Sequence, residues 1–341
     1  MRLRSLLCLV LLAAPTVARS AAAPAPADTS TTLATLRDEA RALRPLFTSK
    51  LVNSFLDGVA NLPSPGPRAI SFDSSRTHFY NAAAFAALPD TARARHITRT
   101  LGESFYYNTR YGSPLAYARP LEILAGVGFD ARTKRIADFG YGTAGHLRLL
   151  AALGADIHGI EVDPLLTALY SQPGDQGVIV GKGNNKGRLT LHEGHWPAEP
   201  ALDAAVGAGY DLFLSKNTLK NGYLHPEREV DPRMLVHLGV SDTAFVRELA
   251  ATVKPGGLVM IYNLSPAPSP ADQPYKPWAD GRCPFPRSLW EAEGFEVLEF
   301  DHDDSAPARV MGHALGWDAG PNPMNLENDL FGHYSLFRRK R

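Results

Sequence analysis

From Leu33 onward the apolar residues recur at helical spacing: Leu33, Leu36, Ala40 and Leu43, then Leu46, Leu51, Phe55 and Val59. Positions three and four apart share one helix face, so the pattern predicts amphipathic helices. Pro45 has no amide proton to give and splits the run into two helices. Pro63-Ser64-Pro65-Gly66-Pro67 ends the pattern in a stiff loop. A further helical region is predicted over about 81–105. Residues 33–120 thus read as a mostly helical cap joined closely to the rest of the chain, not as a free module.

From Pro120 the pattern changes. Leu121, Leu124, Ala125 and Val127 predict one more helix. Short apolar runs then alternate with helical segments, at 136–139, 157–160, 189–192, 210–215, 258–262, 295–300 and 333–337. Strands alternating with helices build βαβ units and a largely parallel sheet. Residues 121–341 are therefore predicted to form one α/β core, with no internal repeat.

The first residues follow a different rule. Met1-Arg2-Leu3-Arg4 is basic, Leu6 to Ala14 is apolar on every face, and small residues follow at Ala18 and Ala21-Ala22-Ala23. That order reads as a cleavable export signal over residues 1–20. It predicts a periplasmic or secreted protein, with a cytoplasmic one as the alternative. Residues 21–32, rich in Ala, Pro, Ser and Thr, read as a disordered lead-in. The apolar run is too short to span a bilayer and no other segment is longer, so no membrane span is expected.

Composition narrows the picture further. The 341 residues are 45% hydrophobic and 21% charged, which supports a sizeable core. Lys plus Arg equals Asp plus Glu at 35 each, so a bulk nucleic-acid binder is not expected. Arg338-Arg339-Lys340-Arg341 is the one basic run and reads as a solvated terminus. Cys8 falls in the signal, which leaves Cys283 as a lone structural thiol and no internal disulfide. His302 with Asp301, Asp303 and Asp304 matches no trusted metal-ligand spacing, so no metal is expected.

The chemistry lies in Ile136-Ala137-Asp138-Phe139-Gly140-Tyr141-Gly142-Thr143. An acidic residue closes an apolar strand, glycines form a turn, and a helical segment follows. The next strand ends at Glu161, 23 residues after Asp138, within Gly159-Ile160-Glu161-Val162-Asp163-Pro164. Glycines let backbone approach a nucleotide-type ligand, and an acidic residue on the next strand accepts from ribose hydroxyls. Asp-x-Gly-x-Gly is not the dinucleotide fingerprint. It resembles motif I of the class I S-adenosylmethionine (SAM)-dependent methyltransferases. The order of strands strengthens this, as do Lys254-Pro255-Gly256-Gly257 before the fifth and Glu291-Ala292-Glu293-Gly294-Phe295 before the sixth. The resemblance covers about 121–341.

The resemblance implies a doubly wound α/β fold, with seven strands and the last one antiparallel between strands five and six. It implies that Asp138 orients the glycine loop and helps bind the methionyl amine. Gly140, Tyr141 and Gly142 would lie against SAM, Glu161 would take the ribose hydroxyls with Asp163 as runner-up, and Val162 would cover adenine. The following helix N-terminus suits a carboxylate. His195 stands near the position where the family often has an acidic residue on the adenine amino group. Trp196 either stacks on adenine or belongs to the core. Lys216 and Asn217, after the fourth strand, face SAM or substrate, or Lys216 is merely solvated. His225 is a base for an oxygen acceptor or a surface histidine. The aromatic run 105–111 with Arg110 either folds over the cofactor, with Tyr107 and Arg110 in contact, or packs the cap.

The expected activity is methyl transfer from SAM by in-line displacement, with the acceptor, a small molecule or a protein, and any catalytic base unidentified. An exported SAM-fold protein without catalysis is the second reading, since SAM is made in the cytosol. An aminopropyltransferase of the spermidine-synthase kind is the third. It would need a carboxylate after the fourth strand, where Ser215-Lys216-Asn217 offers none.

Overall fold

The structure, a computed structural model, describes residues 31–110 and 112–341. The predicted signal and nearly all of the lead-in lie outside the described residues. The first helix, Thr31–Leu43, already includes the last two residues assigned to the lead-in. Leu33, Leu36, Ala40 and Leu43 form its buried stripe. A short turn at Arg44–Leu46 follows, then a second helix, Lys50–Gly58, capped by Ser49, which accepts from the Val52 N–H.

The cap then departs from the helical reading. Three antiparallel strands form a small sheet: β1 (Arg68–Phe72), β2 (Phe79–Asn81) and β3 (Ile97–Leu101), in the order β2-β1-β3. Only the short helices Ala82–Ala86, Asp90–Arg93 and Glu103–Asn108 occupy the region predicted as helical. The alanines of 82–87 favour a helix, whereas Ile97-Thr98-Arg99-Thr100-Leu101 is β-branched and alternating, as a strand requires.

Eight strands form the core sheet: β4 (Arg135–Phe139), β5 (Asp156–Glu161), β6 (Gly177–Val180), β7 (Lys186–Glu193), β8 (Tyr210–Lys216), β9 (Val253–Ser265), β10 (Phe295–Asp303) and β11 (Phe331–Arg339). Their order is β10-β11-β9-β8-β4-β5-β7-β6. β4 pairs parallel with both β5 and β8, so the chain winds outward in both directions from that point. β11 lies antiparallel between β9 and β10, as the resemblance implies. β6 is an addition the sequence reading omitted. It is a four-residue hairpin partner of β7 at the sheet edge.

Apolar layers cover both faces of the sheet. One gathers the cap helices with Leu147, Leu149 and Leu150 of the helix Ala144–Ala152. The other is aromatic, with Phe213, Phe245, Phe285, Trp290, Phe295 and Phe337. Polar bonds also fasten the cap. Buried Arg68 pairs with Asp175 at 2.8 Å, and the Tyr106 hydroxyl donates to the same carboxylate at 2.9 Å. Arg119 grips Asp304, which also accepts from the Tyr262 hydroxyl at 2.9 Å. Asp304 is thus part of the framework, while His302 lies beside Glu299 at 3.3 Å.

Candidate cofactor site

In open α/β sheets ligands bind beyond the carboxyl ends of the strands, where the winding reverses. A cavity of about 390 Å³ sits there, beyond β4, β5, β7 and β8. It is a size suited to a small-molecule ligand. Its floor is the turn after β4. Gly140 and Gly142 have φ of +73° and +59°, the left-handed region that glycine enters freely. A Cβ on Gly140 would stand 2.0 Å from the Thr218 Oγ1. The turn is therefore closed against any larger residue on that side. Tyr141 folds back onto β5 because Gly159 carries no side chain, and a Cβ there would meet the Tyr141 ring at 2.8 Å.

Glu161 ends β5 and borders the cavity. Its Oε2 accepts the Gly142 N–H at 3.1 Å and its Oε1 accepts the Val162 N–H at 2.8 Å. Burial raises its pKa, against the pull of those two bonds. Each carboxylate oxygen has further acceptor capacity, the chemistry a diol needs. Val162 is half exposed at the rim. His195 also lies on the rim, its side chain exposed and its N–H given to Glu199 at 2.7 Å.

Several expected contacts need correction. Asp138 is fully buried and does not line the cavity; its Oδ2 lies 2.8 Å from the His146 Nε2. Burial lowers the His146 pKa more than Asp138 raises it, so the imidazole is neutral and donates to the carboxylate. Tyr107 is also fully buried, with its hydroxyl on the Pro63 carbonyl, and it packs the cap rather than covering a ligand. Arg110 is largely exposed and pairs with Asp163 at 2.6 Å, away from the cavity lining. Asp163 also caps its helix by accepting from the Leu165 N–H, and it does not line the cavity. Trp196 touches the cavity edge, but its ring is buried against Phe139, Phe213 and Phe245 and its N–H goes to Asp203 at 2.8 Å. The core reading of Trp196 prevails. His225 pairs with Asp242 at 3.0 Å and is not in the lining.

The helix N-terminus after the turn is less open than expected. The Gly140 N–H goes to the Ile160 carbonyl at 2.8 Å, the Ala144 N–H to the Tyr170 hydroxyl at 3.2 Å and the Gly145 N–H to the Thr143 Oγ1 at 3.3 Å.

Lys216 ends β8 and lines the cavity with Asn217 and Thr218. Its side chain is buried, and its Nζ lies 5.3 Å from the centre of the Tyr117 ring. Burial brings its pKa down to about 8, with Asp138 opposing. Asn217 is held at φ +65° by bonds to the β9 end: its N–H goes to Asn263 Oδ1 at 3.0 Å, and its Oδ1 accepts from Leu264 at 2.7 Å. Lys220 is committed to the carbonyls of Leu264 and Trp278, which ties down the following loop.

Two walls were not anticipated. Ser113 and Tyr117 replace Tyr107 and Arg110 as the cap's contribution, and the Tyr117 ring stacks on His146 at 3.5 Å. The loop 233–237 crosses the opposite side, presenting Met234, Leu235, Val236 and His237. Nothing in its sequence marks it, since it has no motif and lies between elements. Ser113-Pro114 reads as a helix start, which was a usable signal for its neighbours.

No family model matches the sequence, and no curated protein matches it either. Solved structures resemble the chain distantly. The SAM-dependent methyltransferase from Mesorhizobium loti is 13% identical, over 66% of this chain and 98% of that one, at a TM-score of 0.38. The magnesium protoporphyrin IX methyltransferase from Synechocystis, with bound S-adenosylhomocysteine (SAH), is 12% identical over 67% and 83%, at 0.33. The 4+2 cyclase SpnF is 15% identical over 61% and 75%, at 0.36. Likenesses of that size carry no functional argument, and the strand order decides the fold. The fold is class I methyltransferase-like. Within it the glycine turn, Glu161 and the end of β8 occupy the three sides of one cavity.

Proposed function

We propose that this chain binds SAM in the cavity beyond β4, β5 and β8 and transfers its methyl group to an acceptor. One observation carries the reading: the carboxylate at the end of β5 holds the Gly142 N–H of a turn that has no room for a side chain at Gly140, and both border one cavity. The bound donor would supply an electrophilic methyl group on a sulfonium, so the chain's task is holding and orienting rather than supplying a nucleophile. Gly140, Tyr141 and Gly142 would support the ligand, Glu161 would accept from the ribose hydroxyls, and the loop 233–237 would shield the site from water. The acceptor is not assigned to a chemical class by these residues.

Glu161→Ala is expected to weaken SAH binding by about 1.5–3 kcal/mol, the scale of a hydrogen bond to a charged group. Isothermal titration of the two proteins measures this. Equal affinity would remove the ribose assignment and, with it, the strongest support for the reading.

We further propose export, on the strength of the basic and apolar segments of residues 1–20. Mass spectrometry of protein from its native host should show an N-terminus between residues 19 and 24. A chain still beginning at Met1 or Arg2 would place the protein with cytosolic SAM and end the export reading.

A further inference from the structure

The cavity asks for a partner to the ligand's amino-acid tail, and four backbone donors around its floor are already used. Around the glycine turn and the first helical turn, the N–H groups of Gly140, Gly142, Ala144 and Gly145 all reach acceptors in the protein. A ligand carboxylate there gains little from those amides, and a side-chain cation is the stronger partner. Among the described residues lining the cavity, the cationic or basic side chains are Lys216, Arg233, His195 and His237. Arg233 is exposed and holds Asp231 through two of its nitrogens. His195 and His237 are exposed. Lys216 alone is buried, at 9% exposure, and Asp138 acts on it electrostatically without forming an ion pair with its Nζ among the described residues. Its contact is the Tyr117 ring face, a weak substitute for an anion. A buried ammonium without a bonded counter-ion is costly unless a ligand supplies the charge.

We propose that Lys216 binds the carboxylate of the donor's amino-acid tail and so selects SAM over adenosyl donors that lack this carboxylate. This rests on the adenosyl reading of the cavity and deepens it. It bears on the reaction class, because a decarboxylated donor is what aminopropyl transfer consumes. With a decarboxylated tail, Lys216 would face a cationic amine, with buried Asp138 acting on it but paired to His146. The single carboxylate lining the cavity among the described residues, Glu161, is already engaged by two backbone N–H groups.

The test compares SAH with 5′-methylthioadenosine, which keeps the adenosine and the thioether but has no amino-acid tail. Isothermal titration is done on wild type, Lys216→Met and Lys216→Arg. Wild type is expected to bind SAH at least tenfold more tightly than methylthioadenosine. Lys216→Met should lose that preference and keep its methylthioadenosine affinity, and Lys216→Arg should restore part of the preference. A second readout needs no variant. The titratable groups around Lys216 are Tyr117 from the cap, whose phenol burial keeps protonated, Asp138 from β4, His146 from the helix Ala144–Ala152 and Lys220 from the loop after β8. The ammonium is charged below about 8 and neutral above it, so the SAH preference should decline as pH rises through that range while methylthioadenosine binding stays level. Equal binding of the two ligands by wild type, or an undiminished preference in Lys216→Met, overturns the assignment. Failure of both ligands to bind wild type overturns the adenosyl reading itself. Methylthioadenosine binding without an SAH advantage leaves that reading standing and rejects the role of Lys216.

Discussion

His146→Ala should destabilise the protein by about 3–5 kcal/mol, the cost of stripping the partner from a buried charge. Asp138 is wholly buried, and His146 is its hydrogen-bond partner on Oδ2, while its Oδ1 has none among the described residues. Removing the imidazole takes away that donor, leaves only the Tyr117 hydroxyl, among the described residues, in reach of the carboxylate, and opens a void under the Tyr117 ring, which stacks on the imidazole at 3.5 Å. Urea denaturation followed by circular dichroism reads the loss. His146→Asn, which keeps a donor, should recover part of it. Replacing Asp138 and His146 together with apolar residues should cost less than the single change, because no charge is then stranded. A loss below about 1 kcal/mol for His146→Ala would show that the pair is not holding the motif in place.

Gly140→Ala is the second large effect. Alanine at φ +73° costs about 1–2 kcal/mol for the left-handed conformation alone. Its Cβ would also sit 2.0 Å from the Thr218 Oγ1 and 2.7 Å from the Thr218 Cβ. Forcing such contacts typically adds about 1–3 kcal/mol. The displaced turn should also reduce SAH affinity by at least tenfold. Thr218→Gly removes the colliding atoms, so Gly140→Ala with Thr218→Gly should be less harmful than the two single changes predict. Only the conformational part should survive. Chemical denaturation and SAH titration of the four proteins give the coupling. Strict additivity would mean that Thr218 does not pack against the turn.

The core was legible because its signals are local. Each of the seven anticipated strands is a short apolar run bounded by turn residues, and each appears within a few residues of its predicted place. Strand β6 escaped because Gly177-Val178-Ile179-Val180 is short and opens on a glycine, and its pairing with β7 is what stabilises it. The cap's sheet escaped for a related reason. β3 is mostly exposed, so its alternation leaves little apolar contrast, and the neighbouring alanines favour a helix. Among site residues, the glycines and Glu161 border the cavity as the sequence suggested, because local turn conformation and the strand end set their positions. Asp138 was misjudged because its partner His146 lies eight residues away on the buried face of a helix, where spacing alone does not mark it. Tyr107 and Arg110 were left between cofactor contact and cap packing, and the structure has the packing. The aromatic cluster is near the turn in sequence, but Tyr107 points to Pro63 and Arg110 to Asp163. Tyr117 and the loop 233–237 reach the cavity through tertiary packing that the linear pattern does not encode.

The most direct test of the account is calorimetric titration of the chain from Arg19 onward with SAH and, separately, with NAD. The account predicts saturable binding of SAH and none of NAD, because Asp138-Phe139-Gly140-Tyr141-Gly142 makes a turn that ends in a Glu161-bound glycine rather than a dinucleotide fingerprint. Binding of NAD with no binding of SAH would contradict it.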